Sequence, residues 1–207
     1  AARLVHELGP RAGRPFVRID CVGLRHLDAE RELFGDGEAP GLLEAAEDGS
    51  LFLDEVCELA PELQAKLLTV LENRSLRRTN DRREIPLRTR IIAASNRDVG
   101  AEVSGGRFRA DLYYRLDVLH IRLPALRDCP GDAALLAWHY IAETARRYGR
   151  QAPGLSKAAA AALGRYDWPG NMRELAHVME RAVLLDRSGT LEPAALPLMQ
   201  SAVAAGR

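Results

Sequence analysis

The sequence feature that most constrains the fold of this chain is SLFLDE, residues 50–55, where an apolar run ends in two adjacent carboxylates. A short, continuous apolar run of this kind is typical of a strand that is buried on both faces. The last two residues, Asp54 and Glu55, then stand where the strand leaves the sheet. The motif therefore predicts a buried strand with two acidic side chains at its exit.

Two neighbouring carboxylates at such an exit can serve phosphate chemistry. One can hold a Mg²⁺ ion that is bound to a nucleotide, while the other orients an attacking water molecule. On this interpretation Asp54 is the metal residue and Glu55 is the catalytic residue. The alternative is that the pair forms the solvated start of a helix and has no chemical role.

Helical and extended patterns alternate through the first part of the chain, which predicts a parallel sheet. Ligands of such sheets bind at the carboxyl ends of the strands, which is where Asp54, Glu55 and Asn96 fall. The predicted strands are PFVRID (15–20), SLFLDE (50–55), LRTRIIAAS (87–95) and DVLHIRL (117–123), and the predicted helices are AARLVHEL (1–8), LDAERELF (27–34), ELAPELQAKLLTVLENR (58–74) and RFRADLYYRL (107–116). The third of these helices is amphipathic, with an apolar stripe of Leu59, Leu63, Leu67, Val70 and Leu71.

From Arg127 onward the pattern changes to helices only. The helical segments are PGDAALLAWHYIAETARRYG (130–149), LSKAAAAALGRY (155–166) and NMRELAHVMERAVLL (171–185). Ser156 and Asn171 are predicted N-caps, and Trp138 and Trp168 are predicted to pack in the core of this helical part. A boundary near Asp128 divides the chain into domains 1–128 and 129–207.

The composition indicates a cytosolic globular protein. Lys and Arg (29) balance Asp and Glu (29), so the formal net charge is +0 and there is no global basic field for nucleic acid. Binding to DNA must then be local or lie outside this chain. Three cysteines without C-x-x-C spacing indicate neither a disulfide framework nor a zinc site. No signal peptide or apolar run of membrane-spanning length is found, which favours the cytoplasm and no membrane partner.

The ordered set ELFG, SLFLDE, LQAKLL, RIIAASNRD, FRADLYYRL, LPALRD and WPGNMREL resembles the AAA+ ATPase domain of sigma-54-dependent transcriptional activators, the bacterial enhancer-binding proteins. The resemblance covers residues 1–185. It implies an α/β fold, with a P-loop AAA+ parallel sheet and flanking helices followed by a small all-α lid. It also implies ATP and Mg²⁺ as cofactors, a homo-oligomeric ring of six or seven subunits, sigma-54 RNA polymerase as partner, and DNA binding through a domain outside this chain.

The same resemblance assigns roles to three arginines. Arg109 and Arg115 match arginines that reach into the neighbouring subunit's ATP site, where a guanidinium stabilises charge on the transferred phosphoryl group. We therefore expect them to lack strong intrachain partners; the alternative is pairing with Asp111 or Asp117. Arg173 matches a lid arginine that senses the γ-phosphate, and its alternative is an ion pair within its own helix.

Two further positions bear on the chemistry. Asn96 ends its strand beside the carboxylates, where a neutral amide can fix the attacking water or sense the γ-phosphate; a turn-capping asparagine is the alternative. Asp20 stands where the resembled family has an asparagine that holds the catalytic glutamate inactive. Two carboxylates cannot share a hydrogen bond unless one is protonated, so that switch would not operate unchanged. The alternative is that Asp20 points elsewhere, toward Arg18 or Arg25.

The chain departs from the resembled family in two places. The glycine-rich phosphate loop is expected shortly before AARLVHEL, so this stretch alone is not expected to hydrolyse ATP. In addition, DGEAP (36–40) occupies the place of the loop that carries GAFTGA and contacts sigma-54. The hypotheses are thus an ATP-hydrolysing activator of sigma-54 promoters, a regulator of the same fold that works without sigma-54, and a nucleotide-binding or oligomerising module without turnover.

Overall fold

The structure is a computed structural model that describes residues 1–25, 28–129 and 131–198. The chain divides into two compact units, Ala1–His120 and Ile121–Arg207, and this division falls before the predicted domain boundary near Asp128. Each unit has its own hydrophobic core. Across the described ranges, we find no helix with both the length and the apolar composition that crossing a membrane requires.

The first unit alternates strands and helices. Its strands are β1 (Phe16–Asp20), β2 (Ser50–Asp54), β3 (Ser75–Leu76), β4 (Ile85–Pro86) and β5 (Arg90–Ala93). Its helices are α1 (Ala2–Glu7), α2 (Ala29–Phe34), α3 (Leu42–Ala45), α4 (Pro61–Asn73), α5 (Val99–Ser104) and α6 (Ala110–Leu116), with 3-10 turns at Gly23–Arg25 and Val56–Glu58. The sheet is parallel, in the order β1-β2-β5, which confirms the predicted parallel sheet and three of its strands.

Strand β2 lies at the centre of this sheet, between β1 and β5, with Leu51 and Leu53 fully buried on one face and Phe52 half-buried on the other. Helix α4 contributes the predicted stripe to the same apolar cluster, with Leu63, Leu67 and Val70 buried. Pro61 is the first residue of α4, where its missing N–H costs no helical hydrogen bond. The core thus fixes the strand whose exit carries the carboxylates.

The prediction of a strand at DVLHIRL is wrong. Residues 117–123, all of them described, have no strand conformation, and their large apolar side chains are 62–86% exposed. A strand forms when its backbone N–H and C=O groups find a neighbour, and the neighbour of β5 within the described sheet is β2 alone. The apolar pattern is present, but no described strand pairs with it.

The second unit is helical apart from two short strands. Its helices are α7 (Asp132–Arg147), α8 (Lys157–Arg165) and α9 (Asn171–Leu185), with 3-10 turns at Leu126–Asp128 and Pro193–Ala195. The strands β6 (Gly154–Leu155) and β7 (Thr190–Leu191) pair in parallel. Ser156 caps α8 as predicted, since its hydroxyl accepts a hydrogen bond from the N–H of Ala159 at 3.1 Å.

Two predictions about single residues of this unit are wrong. Asn171 does not cap α9 but is its first residue, and its side-chain oxygen instead accepts a hydrogen bond from the N–H of Leu126 at 2.9 Å. Trp168 is 1% exposed, as predicted, whereas Trp138 is 48% exposed. Helix α7 buries the face that contains Ala137, and the next residue points about 100° away from that face.

Candidate functional site

Strands β1, β2 and β5 end at the same edge of the parallel sheet, and backbone hydrogen bonds continue between the segments that follow them. Beyond the strands proper, the N–H of Cys21 donates to the carbonyl of Asp54 at 2.9 Å, and the N–H of Val56 donates to the carbonyl of Ala94 at 2.9 Å. The register pairs Asp20 with Asp54 across β1 and β2. Carboxylates from adjacent strands therefore meet at the carboxyl edge of the sheet.

Glu55 turns sharply at this edge. Its φ of 56° lies in the left-handed region, which costs a residue with a side chain of the order of 1–2 kcal/mol. In this conformation its Oε2 accepts a hydrogen bond from the backbone N–H of Asn96 at 3.0 Å. Asp54, Glu55 and Asn96 thus share one edge of the sheet, and their chemical roles stay predictions.

The neighbouring carboxylates have different partners. Asp54 Oδ2 accepts a hydrogen bond from the guanidinium of Arg18 at 2.7 Å, and its side chain is 21% exposed. Asp20 Oδ1 accepts a hydrogen bond from the N–H of Val22 at 3.1 Å, which closes a turn within its own chain segment. The switch role of Asp20 stays a prediction. Arg18, the alternative partner for Asp20, instead binds Asp54, the predicted metal residue.

A buried thiol, that of Cys21, directly follows Asp20 in the chain. Cys21 is fully buried, and burial together with the negative charges of Asp20, Asp54 and Glu55 raises its pKa to about 12. The thiol therefore stays protonated at neutral pH and cannot act as a nucleophile. Its part in this edge is to pack.

The side chains at the edge suit a Mg²⁺ ion that arrives with a nucleotide. The described residues contain no group of three or more His, Cys, Asp or Glu side chains that could hold a metal alone. Mg²⁺ in nucleotide sites is bound by one or two carboxylates, with phosphate oxygens and water as the other ligands. The carboxylates of Asp54 and Glu55 fit that requirement.

The two arginines near α6 have intrachain hydrogen-bond partners. The prediction that both lack strong partners is wrong for Arg109, which pairs with Asp111 as in the stated alternative. Arg109 forms two hydrogen bonds with Asp111, at 3.0 and 2.7 Å, and remains 47% exposed. Arg115 donates to the carbonyl of Leu71 at 3.0 Å, in the last turn of α4, where carbonyls lack helical partners. Arg109 is the residue just before α6, whereas Arg115 lies in its last turn.

Arg173 is the last of the predicted site residues, and Gln64 is a buried polar residue that was not predicted. Arg173 lies in the first turn of α9, in the second unit, and is exposed. Gln64 of α4 is buried and forms hydrogen bonds with the carbonyls of Leu59 and Arg107 and with the N–H of Arg109. The sequence does carry a signal for Gln64. It is a long polar residue beside the apolar stripe of an amphipathic helix, at a position where an apolar side chain is favoured.

Comparison with known proteins places these features in a family. Residues 1–122 match the Sigma-54 interaction domain, and residues 127–205 match the AAA+ ATPase lid domain. The chain is 44% identical over 199 residues to the DNA-binding transcriptional activator HyfR of Escherichia coli (strain K12), which covers 92% of this chain and 30% of HyfR. It is 40% identical over 206 residues to the response regulator protein FleR of Pseudomonas aeruginosa, with 95% and 44% covered.

Solved structures agree with the fold. NtrX from Brucella abortus in complex with ATP is similar with a TM-score of 0.89 and 32% identity, over 95% of this chain and 45% of NtrX. The chain spans less than half the length of each of these three proteins. The matches confirm the predicted α/β sheet with its helical lid, and they confirm the predicted family. This chain belongs to the sigma-54 interaction family and is an AAA+ domain of the kind found in sigma-54-type transcriptional regulators.

Proposed function

We propose that, within the full-length protein, this domain takes part in binding and hydrolysing ATP with Mg²⁺ in a homo-oligomeric ring of six or seven subunits, and that the full-length protein couples hydrolysis to transcription control in the cytoplasm. The observation that carries the proposal is the sheet edge that gathers Asp54, Glu55 and the backbone of Asn96. Family membership supports it, as does the similarity to NtrX, which was solved in complex with ATP. DNA would be bound by a part of the protein outside this chain.

Each residue of the edge has its own task in this proposal. Mg²⁺ would neutralise phosphate charge, and Asp54 would hold it once Arg18 has moved off the carboxylate. Glu55 would orient the attacking water and take its proton, since its carboxylate is already fixed by the N–H of Asn96. Asn96 would sense the γ-phosphate from the neighbouring strand, and Arg173 would sense it from the second unit.

The arginines would act on the site of the neighbouring subunit. Arg109 is half-exposed and pairs with Asp111 on the surface, where solvent screens the contact and a phosphate can replace it. Arg115 would have to exchange the carbonyl of Leu71 for a phosphate oxygen, which is a stronger, charge-assisted partner. Hydrolysis would then depend on assembly, because no subunit completes its own site.

A second candidate function is favoured by one observation. DGEAP forms a closed turn at residues 35–41: Asp36 accepts hydrogen bonds from the N–H groups of Glu38 and Ala39 at 2.9 and 2.8 Å, and it pairs with Arg31. The N–H of Thr79 also donates to the carbonyl of Gly35 at 2.9 Å. A turn held this way suits a regulator of the same fold that works without the usual sigma-54 contact.

The proposed ATPase is tested by Arg115→Ala in the full-length protein. Removal of a guanidinium that acts in trans should lower the steady-state ATPase rate by roughly 10³-fold, while ATP affinity changes by less than about threefold. Arg14→Ala, which removes another exposed arginine of the first unit, is the matched control and should leave the rate unchanged. Unchanged turnover in Arg115→Ala would refute the role in trans and leave helix capping at Leu71 as the function of this side chain.

A further inference from the structure

The side chain of Gln64 connects two parts of the first unit that the proposed mechanism treats separately. Gln64 is 1% exposed and lies in the first half of α4. Its Nε2 donates to the carbonyl of Leu59 at 2.9 Å and to the carbonyl of Arg107 at 3.1 Å. Its Oε1 accepts a hydrogen bond from the N–H of Arg109 at 2.9 Å.

These contacts leave one orientation for the amide. Two carbonyl oxygens need donors and one backbone N–H needs an acceptor, so the NH₂ group must face Leu59 and Arg107 while the oxygen faces Arg109. Both amide protons and the oxygen are used. A buried amide with all its groups satisfied fixes the backbone around it, because breaking any of these bonds would leave a buried polar group unpaired.

The first segment that Gln64 holds belongs to the proposed ATP site of its own subunit. Leu59 follows the 3-10 turn Val56–Glu58, which begins directly after Glu55. The N–H of Val56 is bonded to Ala94, so this short segment is also tied to the strand that leads to Asn96. The carbonyl of Leu59 is therefore held in place four residues after Glu55, the proposed catalytic residue.

The second segment carries Arg109, the residue proposed to act on the neighbour's site. Its backbone is held from a second side, since the N–H groups of Arg107 and Phe108 donate to the carbonyl of Glu102 at 3.0 and 3.2 Å. The guanidinium of Arg107 also pairs with the carboxylate of Glu102 at 2.8 and 3.0 Å. By contrast, the partner of the Arg109 side chain among the described residues is Asp111 on the surface, so the position of the Arg109 backbone sets where the guanidinium can reach.

We propose that Gln64 is a positioning residue: it sets the backbone of Arg109 relative to the Glu55 turn and so aims the arginine at the ATP site of the neighbouring subunit. The proposal rests on the proposed function, because it requires Arg109 to act in trans. Displacement of a catalytic group by about 1 Å can cost roughly 10²-fold in rate. Loss of the Gln64 contacts should therefore affect hydrolysis much more than ATP binding.

The test uses Gln64→Met in the full-length protein, because Met keeps the length and volume of the side chain and removes all three hydrogen bonds. We expect kcat to fall by roughly 10- to 100-fold while ATP affinity changes by less than about threefold. The double variant Gln64→Met/Arg109→Ala should be no slower than Arg109→Ala alone, because the glutamine acts through that arginine. Gln151→Met, the same exchange at an exposed position, is the matched control and should keep the wild-type rate.

Mixed assemblies test the direction of the effect. Glu55→Gln subunits lack the catalytic carboxylate but keep a correctly aimed Arg109, so mixing them with Gln64→Met subunits should give more activity than the sum of the two separate assemblies. A defect confined to the variant's own site would give no such gain and would overturn the proposal, as would a double variant slower than Arg109→Ala by the full factor of Gln64→Met.

The remaining outcomes separate the two proposals. A normal rate in Arg109→Ala would refute the proposed role of that arginine, whereas a slow Arg109→Ala with a normal Gln64→Met would refute the positioning role alone. If thermal unfolding shows that Gln64→Met does not fold, Gln64→Asn replaces it, since the shorter amide cannot reach all three backbone groups. Failure of both variants to fold would mark Gln64 as a purely structural residue and overturn the proposal.

Discussion

Single carboxylates of the first unit differ in what they do because their partners differ. Asp36 is bonded by two backbone N–H groups and by the guanidinium of Arg31, and its side chain is only 12% exposed. These donors favour the ionised form, and together they lower the pKa of Asp36 to about 2, with Arg31 as the largest cause. Among the described residues, the side-chain donor to Asp54 is Arg18, at a place where a cation can replace it. The first carboxylate therefore holds structure, and the second is available for chemistry.

The low pKa of Asp36 predicts how acid affects the 35–41 turn. The folded-state value of about 2 is below the ordinary value of 3.8, so ionised Asp36 stabilises the fold above about pH 4, and this stabilisation is lost as the pH falls toward 2. Asp36→Asn should therefore lower the Tm at pH 7, and the difference from wild type should shrink between pH 4 and pH 2. Thermal unfolding across this range checks it, with the exposed Asp167→Asn as control. A Tm difference that stays constant with pH would contradict the assigned role of the charge.

Residue-scale geometry was the least predictable part of the site. The motif SLFLDE indicated which residues stand at the strand exit, because an apolar run and its end are local features of the chain. It did not indicate the left-handed conformation of Glu55 or its hydrogen bond with the N–H of Asn96, since Asn96 follows a different strand, β5. The partner of Asp54 was missed for the same reason. Arg18 reaches it across the sheet from β1.

At the scale of elements, local pattern predicted those whose partners lie within the chain. Strands β1, β2 and β5 and helices α4, α7, α8 and α9 were found because each has apolar side chains buried in one of the two cores or packed against it. DVLHIRL has the same kind of pattern, but no strand of the described residues pairs with it, and its large apolar side chains are exposed. A strand is a property of two segments, and the sequence of one of them cannot establish it.

The connection between α2 and α3 illustrates an element fixed by close backbone approach. A Cβ atom on Gly41 would lie 2.3 Å from the N of Gly35 and 2.5 Å from the carbonyl carbon of Phe34. Neither is a flexible side chain that could move away. Gly35 itself has a φ of 80°, a conformation that favours glycine. The two glycines that frame DGEAP are therefore required by the closure of the turn.

Gly41→Ala should open this turn or distort both helices that it joins. Because the clash is with backbone atoms, we expect a loss of at least about 2 kcal/mol in the free energy of unfolding, or a Tm lower by roughly 4–8 °C. Gly13→Ala is the matched control, since a Cβ there meets no atom within 4 Å, and its effect should stay within about 0.5 kcal/mol. Equal stability of the two variants, measured by chemical denaturation, would show that the turn is not closed in solution.

At the scale of the whole molecule, the chain combines an intact sheet edge with a shortened connection on the same unit. The edge that gathers Asp54, Glu55 and Asn96 supports nucleotide chemistry, and the family match supports a role in sigma-54-type regulation. The 35–41 turn instead has too few residues to extend a sigma-54 contact away from the domain. A stretched chain spans at most about 3.5 Å per residue, so five residues that return to their starting point rise by less than ~9 Å. Hydrolysis and remodelling of sigma-54 can therefore be separate properties of this protein.

We predict that the full-length protein hydrolyses ATP but does not drive open-complex formation on a sigma-54 promoter. The turn at 35–41 has no aromatic side chain, contains Pro40, and is held by Arg31 and by the backbone of Thr79, so it cannot rise as a contact tip. Another segment, TNDRRE (79–84), is uniformly polar and charged and offers no apolar replacement. Open complexes would be measured by permanganate footprinting with ATP, using an activator that carries GAFTGA as the positive control and the ATPase rate to show that the protein is active. Robust ATP-dependent opening with DGEAP in place would disprove this prediction and show that sigma-54 is contacted through a different surface of the domain.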